Sequence, residues 1–159
     1  GKMRVWNRGR SVFRLILIKP SHYDDDGYVI QWLRSPIPAN SLACLYGLAQ
    51  DCRERAVLGP DVELDIIAID ETNARVRPAR VARAIRAADM GRVMLVGVQS
   101  NQFPRALDIA ASLRREGVRV GIGGNTVSLD TFNSPATPPP AVGEKAEISF
   151  SSSDMLVLH

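Results

Sequence analysis

Between Arg92 and Ser128 an apolar run that stops at polar residues is followed by a helical segment and a second apolar run that stops at a glycine pair. Few folds accommodate this order. The run Arg92-Val-Met-Leu-Val-Gly-Val-Gln-Ser100 has strand length and no polar alternation, as expected of a parallel strand covered on both faces. Any chemistry would sit at its polar end. Pro104 can stand in the first turn of a helix, where a missing N–H costs nothing, and Leu107, Ala110, Ala111 and Arg114 recur at helical spacing until Gly117. Val118 to Ile122 is the next strand, and it runs into Gly123-Gly124, where the lack of Cβ atoms lets backbone turn sharply or lie against a ligand.

The preceding residues repeat the alternation. Val12 to Lys19 is a strand closed by Pro20, and Ser21 to Gly27 is a loop by composition. Tyr28 to Arg34 is open between a helical turn and an extended segment. Pro36 and Pro38 lead to a new start at Asn40 or Ser41, either of which can cap a helix. Leu42, Leu45, Tyr46, Ala49, Cys52 and Ala56 mark one face of that helix, which Gly59-Pro60 ends. Val62 to Asp70 is the second strand, and Glu71 to Arg77 a polar connection. Pro78 opens a helix whose buried face is Val81, Ala82, Ile85 and Ala88, with Gly91 as its stop. Strand, helix, strand, helix, strand, helix, strand in unbroken order predicts an α/β domain with a doubly wound parallel sheet in three layers. Ligands of such sheets bind at the carboxyl ends of the strands, here the loops at His22, Asp70, Ser100 and Gly124.

A chain of 159 residues, 45% hydrophobic, suffices for one such domain. The reading places a basic lead-in over residues 1–11, the domain over 12–128 and a tail over 129–159. Residues 131–142 are too rich in Pro, Thr, Ser and Asn for a helix, so the expected last helix is replaced by an irregular segment, with short strands at 146–150 and 155–158. With no run of about twenty apolar residues, and an Arg-rich start without the apolar core of a secretory signal, no membrane partner and a cytoplasmic location are expected. Cys44 and Cys52, eight apart on one helix, cannot bridge and lack zinc-ligand spacing, so they are expected as buried thiols.

Leu95-Val-Gly-Val-Gln-Ser-Asn-Gln-Phe-Pro-Arg-Ala-Leu-Asp-Ile-Ala110 followed by Val120-Gly-Ile-Gly-Gly-Asn-Thr-Val-Ser128 resembles the second half of the cobalamin (vitamin B12)-binding domain family. The opening Leu15-Ile-Leu-Ile-Lys-Pro-Ser-His-Tyr-Asp-Asp-Asp-Gly27, with Leu42-Ala-Cys-Leu-Tyr-Gly-Leu48 after it, is more narrowly similar to the cobalamin domains that precede a radical S-adenosylmethionine (radical SAM) module. The resemblance spans residues 12 to 128. It implies a flavodoxin-like fold and a corrinoid cofactor, presented to a radical SAM or methyltransferase module in cis or in trans. It also implies a set of binding residues. Gly123 and Gly124 would let backbone approach the nucleotide tail. Gln99, Ser100, Asn101, Thr126 and Ser128 would offer hydrogen bonds, and Ser21, His22 and Tyr23 would form the loop beneath the ring.

In cobalamin-dependent methyltransferases and mutases an Asp-x-His-x-x-Gly loop supplies a histidine ligand to cobalt. Here Pro20 stands in the Asp position, and the glycine follows His22 by five residues instead of three. His22 is therefore read first as a binding-loop residue and second as a cobalt ligand, with a solvated loop histidine as the plain alternative.

Asp24, Asp25 and Asp26 invite comparison with the magnesium site of receiver domains, but no acceptor aspartate ends the third strand, and a solvated turn is the simpler reading. Arg75, Arg77, Arg80, Arg83 and Arg86 make a basic stripe able to meet phosphates or an acidic partner; without interleaved aromatics, nucleic acid is not the expected partner. No cysteine triplet for an iron–sulfur cluster, no nucleophile elbow and no zinc-binding His-Glu helix occurs, so catalysis by this chain alone is not expected. The alternative to a corrinoid carrier is a diverged flavodoxin-like interaction or sensory module without the cofactor.

Overall fold

Strand β1 (Ser11–Lys19) carries three consecutive buried residues, Ile16, Leu17 and Ile18. Because side chains alternate across a strand, three in a row can be buried only when both faces are covered. The computed structural model, which describes residues 9–31 and 40–124, shows how they are covered. Ile16 and Ile18 face one apolar cluster together with Val93, Leu95, Val81, Ala82, Ala106, Ile109 and Leu113. Leu17 faces another, with Leu42, Ala49, Leu64, Ile66 and Val96. Each fully buried Ile or Leu contributes about 1.5–3 kcal/mol, so the two clusters hold the three layers together.

The element order is β1, α1 (Asn40–Glu54), β2 (Val62–Asp70), α2 (Pro78–Arg86), β3 (Met90–Leu95), α3 (Phe103–Arg115) and β4 (Val120–Ile122). All pairings are parallel, in the order β2-β1-β3-β4. This is the flavodoxin-like, doubly wound α/β sheet. Its layering follows from crossover handedness: β1 to β2 steps one way along the sheet, whereas β2 to β3 and β3 to β4 step the other way. Right-handed connections then put α1 on one face and α2 with α3 on the opposite face, as the two clusters show. Between β1 and β3 the winding reverses.

Gly91 differs from its expected role as a helix stop. The helix ends at Arg86, and Gly91 lies inside β3, where a Cβ would sit 2.9 Å from the Arg14 carbonyl oxygen and 2.9 Å from Ile85 Cδ1. The glycine marks close approach of helix and strand. The thiols also differ: Cys44 is exposed and Cys52 half-buried, because α1 seats on the sheet through Leu42 and Ala49 while Leu45 and Leu48 look outward. A helix apolar on several sides does not reveal which side it buries.

Contacts group the chain into two units, Gly1–Thr126 and Val127–His159. All described residues belong to the first; the tail, its expected strands, and Thr126 and Ser128 lie outside them.

Candidate functional site

Because the strands are parallel, their carboxyl ends share one edge, with Lys19 opposite Asp70 and Leu95 opposite both Ile18 and Ile122. At the reversal between β1 and β3, Lys19 Nζ donates to the Gly97 carbonyl oxygen at 2.9 Å. Gly97 has φ +61°, and a Cβ there would lie 2.9 Å from Ser41 Cβ and 3.2 Å from Lys19 Nζ. The crevice floor is therefore tightly packed.

Burial lowers the Lys19 pKa below 10.5, and the neighbouring Asp70 carboxylate offsets part of that shift. In the window between the lowered folded value and 10.5 the unfolded chain binds the extra proton, so stability rises with pH there. Lys19→Met is expected to flatten this rise; urea midpoints followed through the alkaline range, with an unchanged slope in the variant as the contrary result, check it.

Next to the crevice, residues 20–30 fold back as a small hairpin. Tyr23 bridges Val29 in antiparallel fashion, Ile30 N–H donates to the His22 carbonyl at 2.9 Å, and Ser21 Oγ donates to the Ile30 carbonyl. Asp24 closes the tip by accepting from the N–H groups of Asp26 (3.0 Å) and Tyr28 (2.8 Å), an Asx-type turn. The three aspartates are exposed, as a solvated turn requires. Ser21 is fully buried and its hydroxyl serves the hairpin, whereas His22 and Tyr23 are half-buried. The Tyr23 hydroxyl donates to Asp108 on α3, and burial together with this bond raises the phenol pKa, opposed by the cation of Arg105.

On the other side of the reversal, strand-like pairing continues past the strands. Gly123 N–H donates to the Leu95 carbonyl at 2.8 Å and Val98 N–H to the Gly123 carbonyl at 3.1 Å. This places the exposed Gln99, Ser100 and Asn101 beside the exposed Gly123 and Gly124. A Cβ added at Gly123 would meet nothing within 4 Å. Gln102, buried at the start of α3, accepts from the Gln99 N–H at 3.0 Å and fixes the turn. Among the described residues, the side chains of His22, Gln99, Ser100 and Asn101 have no hydrogen-bond partner.

The structure thus brings Gln99, Ser100, Asn101, Gly123 and Gly124 together, with Ser21, His22 and Tyr23 on the adjacent loop. Sequence reasoning missed Glu71, directly after β2 and wholly buried, which holds Arg105 of α3 in a two-pronged ion pair. A lone Glu in a polar connection gives no pattern; the only signal was an arginine one turn inside a helix that otherwise buries small and apolar residues.

In the basic stripe Arg75, Arg77, Arg80, Arg83 and Arg86 are all exposed, and Arg86 pairs with Glu116 at 3.2 Å. A shallow depression of about 450 Å³, lined by residues including Arg10, Arg53, Pro60 and Glu63, lies at the opposite edge of the sheet. Among the described residues no group of three His, Cys, Asp or Glu side chains could hold a metal ion, and no helix is long and apolar enough to cross a membrane. Comparison with protein-family models, with curated proteins and with solved structures gives no match.

Proposed function

We propose that this chain is a corrinoid-binding domain that presents cobalamin to a radical SAM or methyltransferase module. One observation carries the reading: the loop after β1, the turn after β3 and the Gly123–Gly124 pair lie side by side at the winding reversal, where among the described residues the side chains of His22, Gln99, Ser100 and Asn101 have no hydrogen-bond partner. Open sheets of this class bind ligands at that place. The residues fit the group. A broad flat ring needs a polar rim without protruding side chains, and the open space over Gly123 leaves backbone accessible to a nucleotide tail.

Gln99, Ser100 and Asn101 would accept and donate to amide and phosphate groups of the tail, and Tyr23 would flank the ring from the neighbouring loop. When bound, the corrinoid would supply a cobalt centre able to carry a methyl group. His22 follows β1 in the loop where the resembled family carries its cobalt-binding histidine, but Pro20 occupies the position of the Asp that orients such ligands. This favours His22 as a contact to the ring over His22 as a ligand. The same observation favours, as a second reading, a diverged module that has lost the corrinoid.

Titration of the full chain with hydroxocobalamin and with methylcobalamin, followed in the visible spectrum, tests the proposal. Saturable binding is expected, weakened at least about tenfold in Gly124→Trp, with a spectrum unchanged in His22→Ala; a loss of about 1.4 kcal/mol corresponds to that factor. A spectral change in His22→Ala would instead make the imidazole the ligand. Absence of binding to both cobalamins overturns the corrinoid reading and leaves the diverged module.

A further inference from the structure

Three separate segments converge on one carboxylate. Glu71 Oε1 accepts from the Ser21 N–H at 3.3 Å and from Arg105 Nε at 2.9 Å; Oε2 accepts from the Val76 N–H at 3.0 Å and from Arg105 Nη2 at 2.7 Å. Glu71 is fully buried, and the Arg105 side chain is only 11% exposed. The Arg105 guanidinium in turn lies 5.9 Å from the centre of the Tyr23 ring, whose hydroxyl is held by Asp108. The residues on both sides of His22 are thereby anchored: Ser21 through its backbone to Glu71, Tyr23 through its ring and hydroxyl to Arg105 and Asp108. Among the described residues, His22 itself is bonded only through its carbonyl, to Ile30.

We infer that Glu71 and Arg105 are positioning residues that fix the loop carrying His22 at the carboxyl end of β1, a role that rests on the corrinoid reading for its purpose but not for its test. The physical reason is directional. The ion pair alone is not the reason for the carboxylate, because an apolar pair of similar volume can match a buried ion pair in stability. What the carboxylate adds is a fixed acceptor for the Ser21 amide and two oxygens that hold the Arg105 guanidinium in a two-pronged contact near the Tyr23 ring. Both constraints act on the residues that flank His22, one through the backbone of Ser21 and the other through the side chain of Tyr23.

The chain contains two histidines, His22 and His159, so each ring C–H can be followed by proton NMR without ligand. Glu71→Gln keeps the shape and removes the charge; Glu71→Gln with Arg105→Gln also removes the orphaned cation. In both, the His22 ring signal is expected to shift or split while the His159 signal stays in place. The double variant is expected to recover the cooperative unfolding that the single variant weakens. Affinity for hydroxocobalamin is expected to fall about tenfold in both. A His22 signal superimposable on wild type in both variants overturns the inference, whether or not cobalamin binds. Failure of wild type to bind either cobalamin, with the NMR changes present, overturns only the corrinoid reading.

Discussion

Glu71→Ala is expected to lower the unfolding free energy by about 3–5 kcal/mol, because removing one partner of a buried ion pair leaves the other as an uncompensated charge. The loss extends beyond Arg105. The Ser21 and Val76 N–H groups lose the acceptors that satisfied them, and Ser21 is wholly buried. Against a typical domain stability of about 5–15 kcal/mol this is a large fraction, and urea denaturation of the full chain measures it. An apolar replacement of both partners, Glu71→Leu with Arg105→Leu, separates the causes. It is expected to recover most of the loss if the orphaned cation dominates. A loss below about 1 kcal/mol in Glu71→Ala would show that water reaches Arg105 and that the pair does not hold the loops.

Gly97→Val is expected to cost about 2–5 kcal/mol, from two sources at the reversal between β1 and β3. A left-handed backbone costs a residue with a side chain about 1–2 kcal/mol, and the φ of +61° places Gly97 there. The added carbon would also press on Ser41 at 2.9 Å and on Lys19 Nζ at 3.2 Å, an overpacking of about 1–3 kcal/mol. Gly97→Ala is expected to fall between wild type and Val. Gly123→Val is the matched control, since its Cβ meets nothing and its stability change should stay within about 0.5 kcal/mol, as for surface substitutions. The unfolding midpoints of the three variants check the order. Equal losses at Gly97 and Gly123 would mean that residue 97 does not pack as described.

The winding of the sheet was legible because each strand and helix repeats one pattern at its own period. The second strand has its expected bounds, Val62–Asp70, and β1 differs by one residue. The boundary around Gly91 was not legible, since glycine serves equally as a helix stop and as a point of close approach, and only the position of Ile85 decides between them. The surface and the crevice differ in the same way. Gln99 to Asn101 and Gly123-Gly124 announce themselves as a polar turn and a glycine pair after apolar runs. Glu71 does not, because Ser21 and Arg105, two of its partners, lie 50 residues before it and 34 after it in the chain. Long-range pairing of single charged residues leaves no period to read.

The strand order also grades the sheet mechanically. β1 is bonded along both edges, to β2 throughout and to β3 over six residues, while β4 is bonded to β3 through three. Amides of β1 therefore open only with the whole domain, whereas those near Gly123 are held by the shortest ladder among the described residues. The two sides of the crevice accordingly differ in compliance: the hairpin of His22 rises from the stiffest strand, and the glycine pair from the most pliant. A molecule spanning both would spend its binding energy on the β4 side, drawing the weakest strand into the cooperative core.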